Sequence, residues 1–174
     1  ACTLRDATSA HRMPTMKLKS FQHMDCSLAQ ALEIVGERWT LLILRDAFFG
    51  IHRFDDFQRR LGIARNILSA RLARLVDEGI LERRAVSSGG RRAEYHLTAK
   101  GRELQPALIA LTQWGDAWYP GEHGSRIEFV ERGTGEPIPR VALHASDGRA
   151  LKPREVGARS PSGGDAAGAA ATGR

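Results

Sequence analysis

Arg65 and Asn66 stand side by side, and each can hydrogen-bond the edge of a nucleic-acid base twice, Arg through its N–H fork and Asn through its amide. They open a stretch in which Leu68, Leu72, Leu75 and Val76 recur at helical spacing, leaving Arg65, Asn66, Ser69, Ala70 and Ala73 on the opposite face. Small residues among donors let that face approach a major groove closely; a merely solvated helix would usually carry Glu and Lys there. Ser69 and Arg71 are intermediate, since phosphate alone could satisfy both. Between residues 53 and 92 ten Arg face five acids, an excess of five in a chain whose formal net charge is +6. Arg53, Arg84, Arg91 and Arg92 lie in that stretch as candidate phosphate contacts, of the kind that give affinity irrespective of sequence and weakening with salt. Arg59, Arg60 and Arg74 are expected to cover solvent-facing helix surface or to touch phosphate.

The elements that must position these groups can be read around them. Phe54, Phe57 and Leu61 give one apolar face of a helix, Gly62-Ile63-Ala64 turns the chain, and a second helix runs from Ala64 to Glu78. Leu81 to Val86 and Ala93 to Leu97 read as strands joined by Ser87-Ser88-Gly89-Gly90, with Arg83, Arg84, Arg91 and Arg92 flanking the turn. Helix, turn, helix and basic hairpin in this order are the layout of a winged helix-turn-helix. Arg65 and Asn66 then fall in the first turn of the helix that enters the groove, and Arg91 and Arg92 on a wing that meets backbone or minor groove.

Upstream, Leu28, Ala31, Leu32 and Val35 predict a short apolar helix face, and Trp39, Leu42, Ile43 and Ala47 a second stripe ending near Gly50. Downstream, Thr98 opens a further helix whose inner face is Leu104, Leu108, Leu111 and Trp118, kinked or divided by Pro106. The first and last helices carry more apolar surface than one small domain covers, which points to a homodimer interface.

The run from Cys26 to Asp46 (CSLAQALEIVGERWTLLILRD) resembles the N-terminal signature of HxlR-type transcriptional regulators, relatives of the MarR group. Arg53-Phe54-Asp55-Asp56-Phe57, Gly62 through Leu68, Glu94 through Thr98 and Trp114-Gly115 continue the resemblance in order, over roughly residues 25 to 119. It implies a dimeric DNA-binding regulator. Where many members carry Ser or Thr, this chain has Ala64, so the recognition helix lacks the usual side-chain N-cap, a loss worth ~1 kcal/mol. A DNA phosphate could partner the amides left open behind Ala64.

The expected fold class is therefore α+β: a winged helix-turn-helix domain with flanking dimerisation helices and a small C-terminal β appendage. Residues 1–24 are expected as a mobile arm, 25–119 as the DNA-binding and dimerisation domain, 120–156 as two short hairpins turning at Gly133-Thr134-Gly135-Glu136 and Ser146-Asp147-Gly148-Arg149, and 157–174 as a disordered tail.

Composition agrees. A sequence pI near 10.0 favours an anionic partner, double-stranded DNA rather than membrane, because no apolar run approaches the ~18 residues a spanning helix needs. With two cysteines and no apolar leader, a cytoplasmic location is expected. The six histidines show no metal-ligand spacing, no Cys pair follows Cys26, no Ser, His and carboxylate set forms a triad, and Gly89-Gly90 is too short a phosphate cradle. Neither an enzyme nor a cofactor is expected.

Trp39, Trp114 and Trp118 could line a small-molecule pocket, although aromatics at helical spacing are usually core. Cys26 precedes the first helix, where the helix N-terminus favours thiolate and Asp25 opposes it. Redox control through Cys26 therefore stands beside a plain packing role. The function classes left are a homodimeric regulator on a pseudo-palindromic operator, under oxidant, small-molecule or no control, and a winged-helix module for protein contact without specific operator binding.

Overall fold

The computed structural model describes residues 20–85 and 93–159, and the chain divides at Lys100 into two compact units. That boundary falls inside the stretch read as one domain. Most of the expected N-terminal arm, the turn of the hairpin with Arg91 and Arg92, and most of the expected tail lie outside the described residues.

The first unit holds α1 (Ser27–Val35), α2 (Thr40–Phe48), α3 (Phe54–Leu61), α4 (Arg65–Asp77) and an antiparallel pair, β1 (Leu81–Ala85) and β2 (Ala93–Leu97). Leu81 pairs with Leu97 and Ala85 with Ala93. The chain entering α3 adds a short third edge, because Arg53 bridges Glu94 and the Tyr95 amide donates to the His52 carbonyl at 2.8 Å.

Phe57, Ile43, Leu44, Leu68, Leu72, Leu75 and Leu81 are fully enclosed and make the core. From α4 the expected stripe is buried apart from Val76, which is half-buried. Gly62 ends α3 in the left-handed region (φ 61), its amide donating to Gln58 at 3.0 Å, a conformation in which a side chain would be strained. Ile63 and Leu68, buried on either side of the α4 start, hold the positions of a hydrophobic staple and fix how the chain enters that helix.

One expected face differs. In α2 the buried residues are Thr40, Ile43, Leu44, Asp46 and Ala47, whereas Leu42 is 40% exposed and Trp39 sits outside the helix at φ 80. The run Leu41 to Leu44 is apolar all round and carries no phase of its own, so the helix start at Thr40 sets it. In α1 the buried residue is Ala29, while Leu28 and Leu32 are 67% and 41% exposed.

Asp46 is a wholly buried carboxylate inside this apolar helix. It accepts from Arg45 Nη2 at 2.8 Å and Arg60 Nε at 3.4 Å, which satisfies its charge and links α2 to α3.

α5 (Ala99–Arg102) crosses the boundary between the units, and Thr98 before it donates to the Gly79 carbonyl at 2.7 Å. The second unit contains α6 (Gln105–Trp118), with Pro106 in its first turn, where a missing amide costs nothing; proline divides the expected helix here rather than kinking it. No residue of α6 is buried: Leu111, Trp114 and Trp118 are 53%, 51% and 69% exposed. After α6, single antiparallel bridges join Val130 to Pro137 and His144 to Ala150, with Gly135 and Gly148 at positive φ in the turns. These are hairpins reduced to one pair each. Gln113 fastens them to α6, accepting from the Val141 amide at 2.8 Å and donating to the Pro139 carbonyl at 3.4 Å.

Candidate nucleic-acid interface

Residues 64 to 67, the N-terminal turn of α4, are all exposed. Ala64 holds the N-cap position in extended conformation (φ −63, ψ 138) with no side-chain cap, and the first rung of the helix runs from the Leu68 amide to the Ala64 carbonyl at 3.0 Å. The amides of residues 65 to 67 precede that rung and face the N-terminal end, where the helix dipole favours an anion.

Arg65 is 72% exposed, yet its direction is set: the guanidinium lies 4.7 Å over the Phe54 ring and Nη1 is 3.7 Å from Asp55. The stacking restrains a long side chain without consuming its N–H fork. Asn66 and Ser69 are exposed, Ala70 and Ala73 likewise, as the helical spacing predicts.

The other basic residues are less free than composition suggests. Arg53, at the N-cap of α3, places Nε 3.3 Å from Glu94, whose carboxylate is also 3.1 Å from His96 Nε2. Hydrogen bonding from His96, then from Arg53, holds the Glu94 carboxyl below the usual carboxylate range. His96 stacks on His52, ring centres 4.1 Å apart, so the base of the hairpin is a compact polar cluster. Arg84 pairs with Glu82 two residues earlier on its own strand, and Arg59 pairs with Asp56 at 3.1 Å.

Arg71 is turned away from the open face. Only 22% exposed, it pairs through Nη1 with Glu37 and donates from Nε to the Arg38 carbonyl at 3.3 Å, both at the α1–α2 junction. Arg60 belongs to Asp46, and Arg74 pairs with Glu78 at 3.0 Å. Arg65, Asn66, Ser69 and Ala64 are thus brought together on one helix end, Arg53 and Arg84 attach to the hairpin, and Arg91 and Arg92 lie outside the described residues. Sequence reasoning missed Asp46, Glu37 and the Glu94–His96–His52 cluster. A lone acid in an apolar helix was the one local signal for the first.

Cys26 is exposed at the N-cap of α1, with no side-chain cap bond. Among the described residues no three His, Cys, Asp or Glu are grouped to hold a metal ion, and no helix is long and apolar enough to cross a membrane.

A family model for the HxlR-like helix-turn-helix matches residues 34–123, the span from within α1 to just beyond α6. The chain belongs to the HxlR-like family. An uncharacterised HTH-type transcriptional regulator of Mycobacterium tuberculosis, Rv3095, is 50% identical over 130 residues, 75% of this chain and 82% of that protein. Among solved structures, PA1607, a proposed transcription factor, is similar at TM-score 0.73 and 41% identity, over 79% of this chain and 96% of its own. The redox regulator HypR in its reduced form is similar at TM-score 0.50 and 27% identity, over 53% of this chain and 92% of its own. As an HxlR-like protein, the chain is a transcriptional regulator with a helix-turn-helix DNA-binding fold, and the α+β winged-helix expectation holds for the fold. Its relatives are transcriptional regulators, not enzymes.

Proposed function

We propose that this HxlR-like regulator acts as a homodimer on a pseudo-palindromic operator in duplex DNA, reading bases with Arg65 and Asn66 from the first turn of α4. The observation that carries the reading is the open N-terminal end of α4, where Arg65 is aimed by Phe54 while Asn66 and Ser69 stand exposed. Ala64 and the amides behind it take a phosphate. Arg53, Arg84 and, in the turn, Arg91 and Arg92 take others, exchanging exposed ion pairs that are individually worth only ~0 to 1 kcal/mol. A second copy covers the apolar face of α1 at Leu28 and Leu32, and that of α6 at Leu111, Trp114 and Trp118. Two recognition helices then meet half-sites about one helical turn, ~34 Å, apart. Such a regulator works in the cytoplasm, beside the chromosome.

The test is an electrophoretic mobility assay on the protein's own upstream DNA, with sedimentation velocity for the dimer. Arg65→Ala and Asn66→Ala should each weaken operator binding and relax base preference, by ~1 to 3 kcal/mol where a bidentate base contact is lost. Arg84→Ala should weaken every sequence alike and make the salt dependence shallower. If Arg84→Ala changed base preference while the α4 variants did not, helix and wing would have exchanged roles. A monomer at micromolar concentration, or equal affinity for all duplexes, would favour a protein-contact module instead.

A second reading concerns control. The exposed thiol of Cys26 at the head of α1, together with the likeness to a redox regulator, supports an oxidant effector acting by cross-linking or capping that thiol. A shift of α1 would alter the spacing of the two recognition helices and so operator fit. Diamide should release wild-type protein from DNA and leave Cys26→Ser bound. Equal responses in the two would leave a small-molecule effector or constitutive binding as the better account.

A further inference from the structure

We propose that Arg71 is a positioning residue: through Glu37 and the Arg38 carbonyl it fixes the recognition helix to the α1–α2 junction, so operator affinity depends on a side chain that does not touch DNA. The inference rests on the operator-binding reading above and concerns how α4 is held for it.

Three observations carry it. First, Arg71 is the most covered of the arginines on α4, 22% exposed against 72% for Arg65 and 44% for Arg74. Second, its guanidinium has two anchors on two different atoms, Nη1 at 2.5 Å from Glu37 Oε2 and Nε at 3.3 Å from the Arg38 carbonyl. A planar fork held at two points defines both position and orientation, which a single ion pair does not. Third, the anchoring segment has a defined shape. At Gly36 any Cβ would collide with the Leu32 carbonyl, Trp39 is held at φ 80 with the Arg38 guanidinium 5.7 Å over its ring, and the Thr40 amide donates to the Glu37 main-chain carbonyl at 3.1 Å. The junction is therefore a built platform, and Arg71 is the link from it to α4.

The geometry converts that link into affinity. Arg65 lies six residues before Arg71 on the same helix, about 9 Å along its axis. A helix moves as a rigid body at this length, so a small rotation allowed at Arg71 displaces Arg65 and Asn66 together. Two-point base contacts tolerate little displacement.

The alternative is that Arg71 leaves Glu37 and binds phosphate, as the excess of arginine in this stretch suggests. The two accounts give opposite signs for Glu37→Gln. If Arg71 were a phosphate ligand in competition with Glu37, removing the carboxylate would free the guanidinium and tighten binding. If Arg71 positions α4, Glu37→Gln should weaken operator binding about five- to tenfold. Arg71→Lys separates them again, because a phosphate contact survives as a point charge whereas a two-point tie does not.

The experiment is operator titration by fluorescence anisotropy at several salt concentrations, for wild type, Glu37→Gln, Arg71→Lys and the double variant, with thermal melts confirming that each is folded. Expected are similar losses in both single variants, no further loss in the double, and an unchanged salt slope. Tighter binding in Glu37→Gln, or wild-type affinity in Arg71→Lys, would overturn the proposal.

Amide spectra of the free proteins give an arm independent of DNA. Glu37→Gln should shift the signals of residues 65 to 69, and unchanged signals there would reject the link. A wild-type protein that bound no duplex would overturn the operator reading by itself, while the spectra would still decide whether Arg71 holds α4.

Discussion

Raising salt from about 50 to 200 mM should weaken operator binding by about a thousandfold or more, the steepest response expected of this protein. Each protomer offers phosphate contacts at Arg53 and Arg84, whose side chains are 62% and 59% exposed, and at the open amides at the head of α4. The sequence adds Arg91 and Arg92 at the hairpin turn. Three to five phosphates per protomer make roughly six to ten per dimer, and each releases most of one counterion. The present partners of Arg53 and Arg84, Glu94 and Glu82, do not prevent the exchange, since exposed pairs are weak and phosphate is equally anionic. Arg71, Arg60 and Arg74 should not contribute, because they are engaged within the fold. Anisotropy titrations across four salt concentrations measure the slope. A value no steeper than about −2, two contacts for the whole dimer, would mean that the basic face lies elsewhere.

That division among arginines marks where the sequence is legible and where it is not. Periodicity places α3, the turn at Gly62 and α4 because apolar residues there alternate with polar ones at a single phase. The same reading gives the exposure of Arg65, Asn66 and Ser69. It fails in α2, where Leu41 to Leu44 offer no polar residue to fix the phase and the core takes Thr40 and Leu44 in place of Trp39 and Leu42. It also fails for partners distant in sequence. Arg60 meets Asp46 across 14 residues and Arg71 meets the Arg38 carbonyl across 33, and no local pattern records such distances. Pro106 was readable as a kink or a division but not as one rather than the other, because whether a proline bends a helix or starts one depends on the turn before it. Charge counting overstates the surface available to DNA for a related reason: it counts Arg60 and Arg71 equally with Arg65, although the fold uses them as fasteners.

Replacing Phe57 by Ala should cost about 3 to 5 kcal/mol of folding stability, a large part of the ~5 to 15 kcal/mol a domain of this kind possesses. Phe57 is fully enclosed at the middle of α3, and its ring is the largest wholly buried side chain of the described residues. The other fully enclosed side chains of this core, among them Ile43 and Leu44 on α2 and Leu68 and Leu72 on α4, stand on helices packed against one another, which limits collapse into the space and leaves a cavity. Urea denaturation followed by circular dichroism reads the loss directly.

Phe54 supplies the control. One turn earlier on the same helix, it is half-buried, and its ring lies beneath the Arg65 guanidinium. Phe54→Ala should cost less stability than Phe57→Ala, while the folded variant should lose operator affinity because Arg65 is no longer aimed. Phe57→Ala should behave oppositely, binding DNA nearly as wild type in whatever fraction stays folded. A stability loss below about 1 kcal/mol for Phe57→Ala would show that α3 is not seated on the core as described. Equal stability losses in the two variants would show that Phe57 and Phe54 do not divide packing from recognition between them.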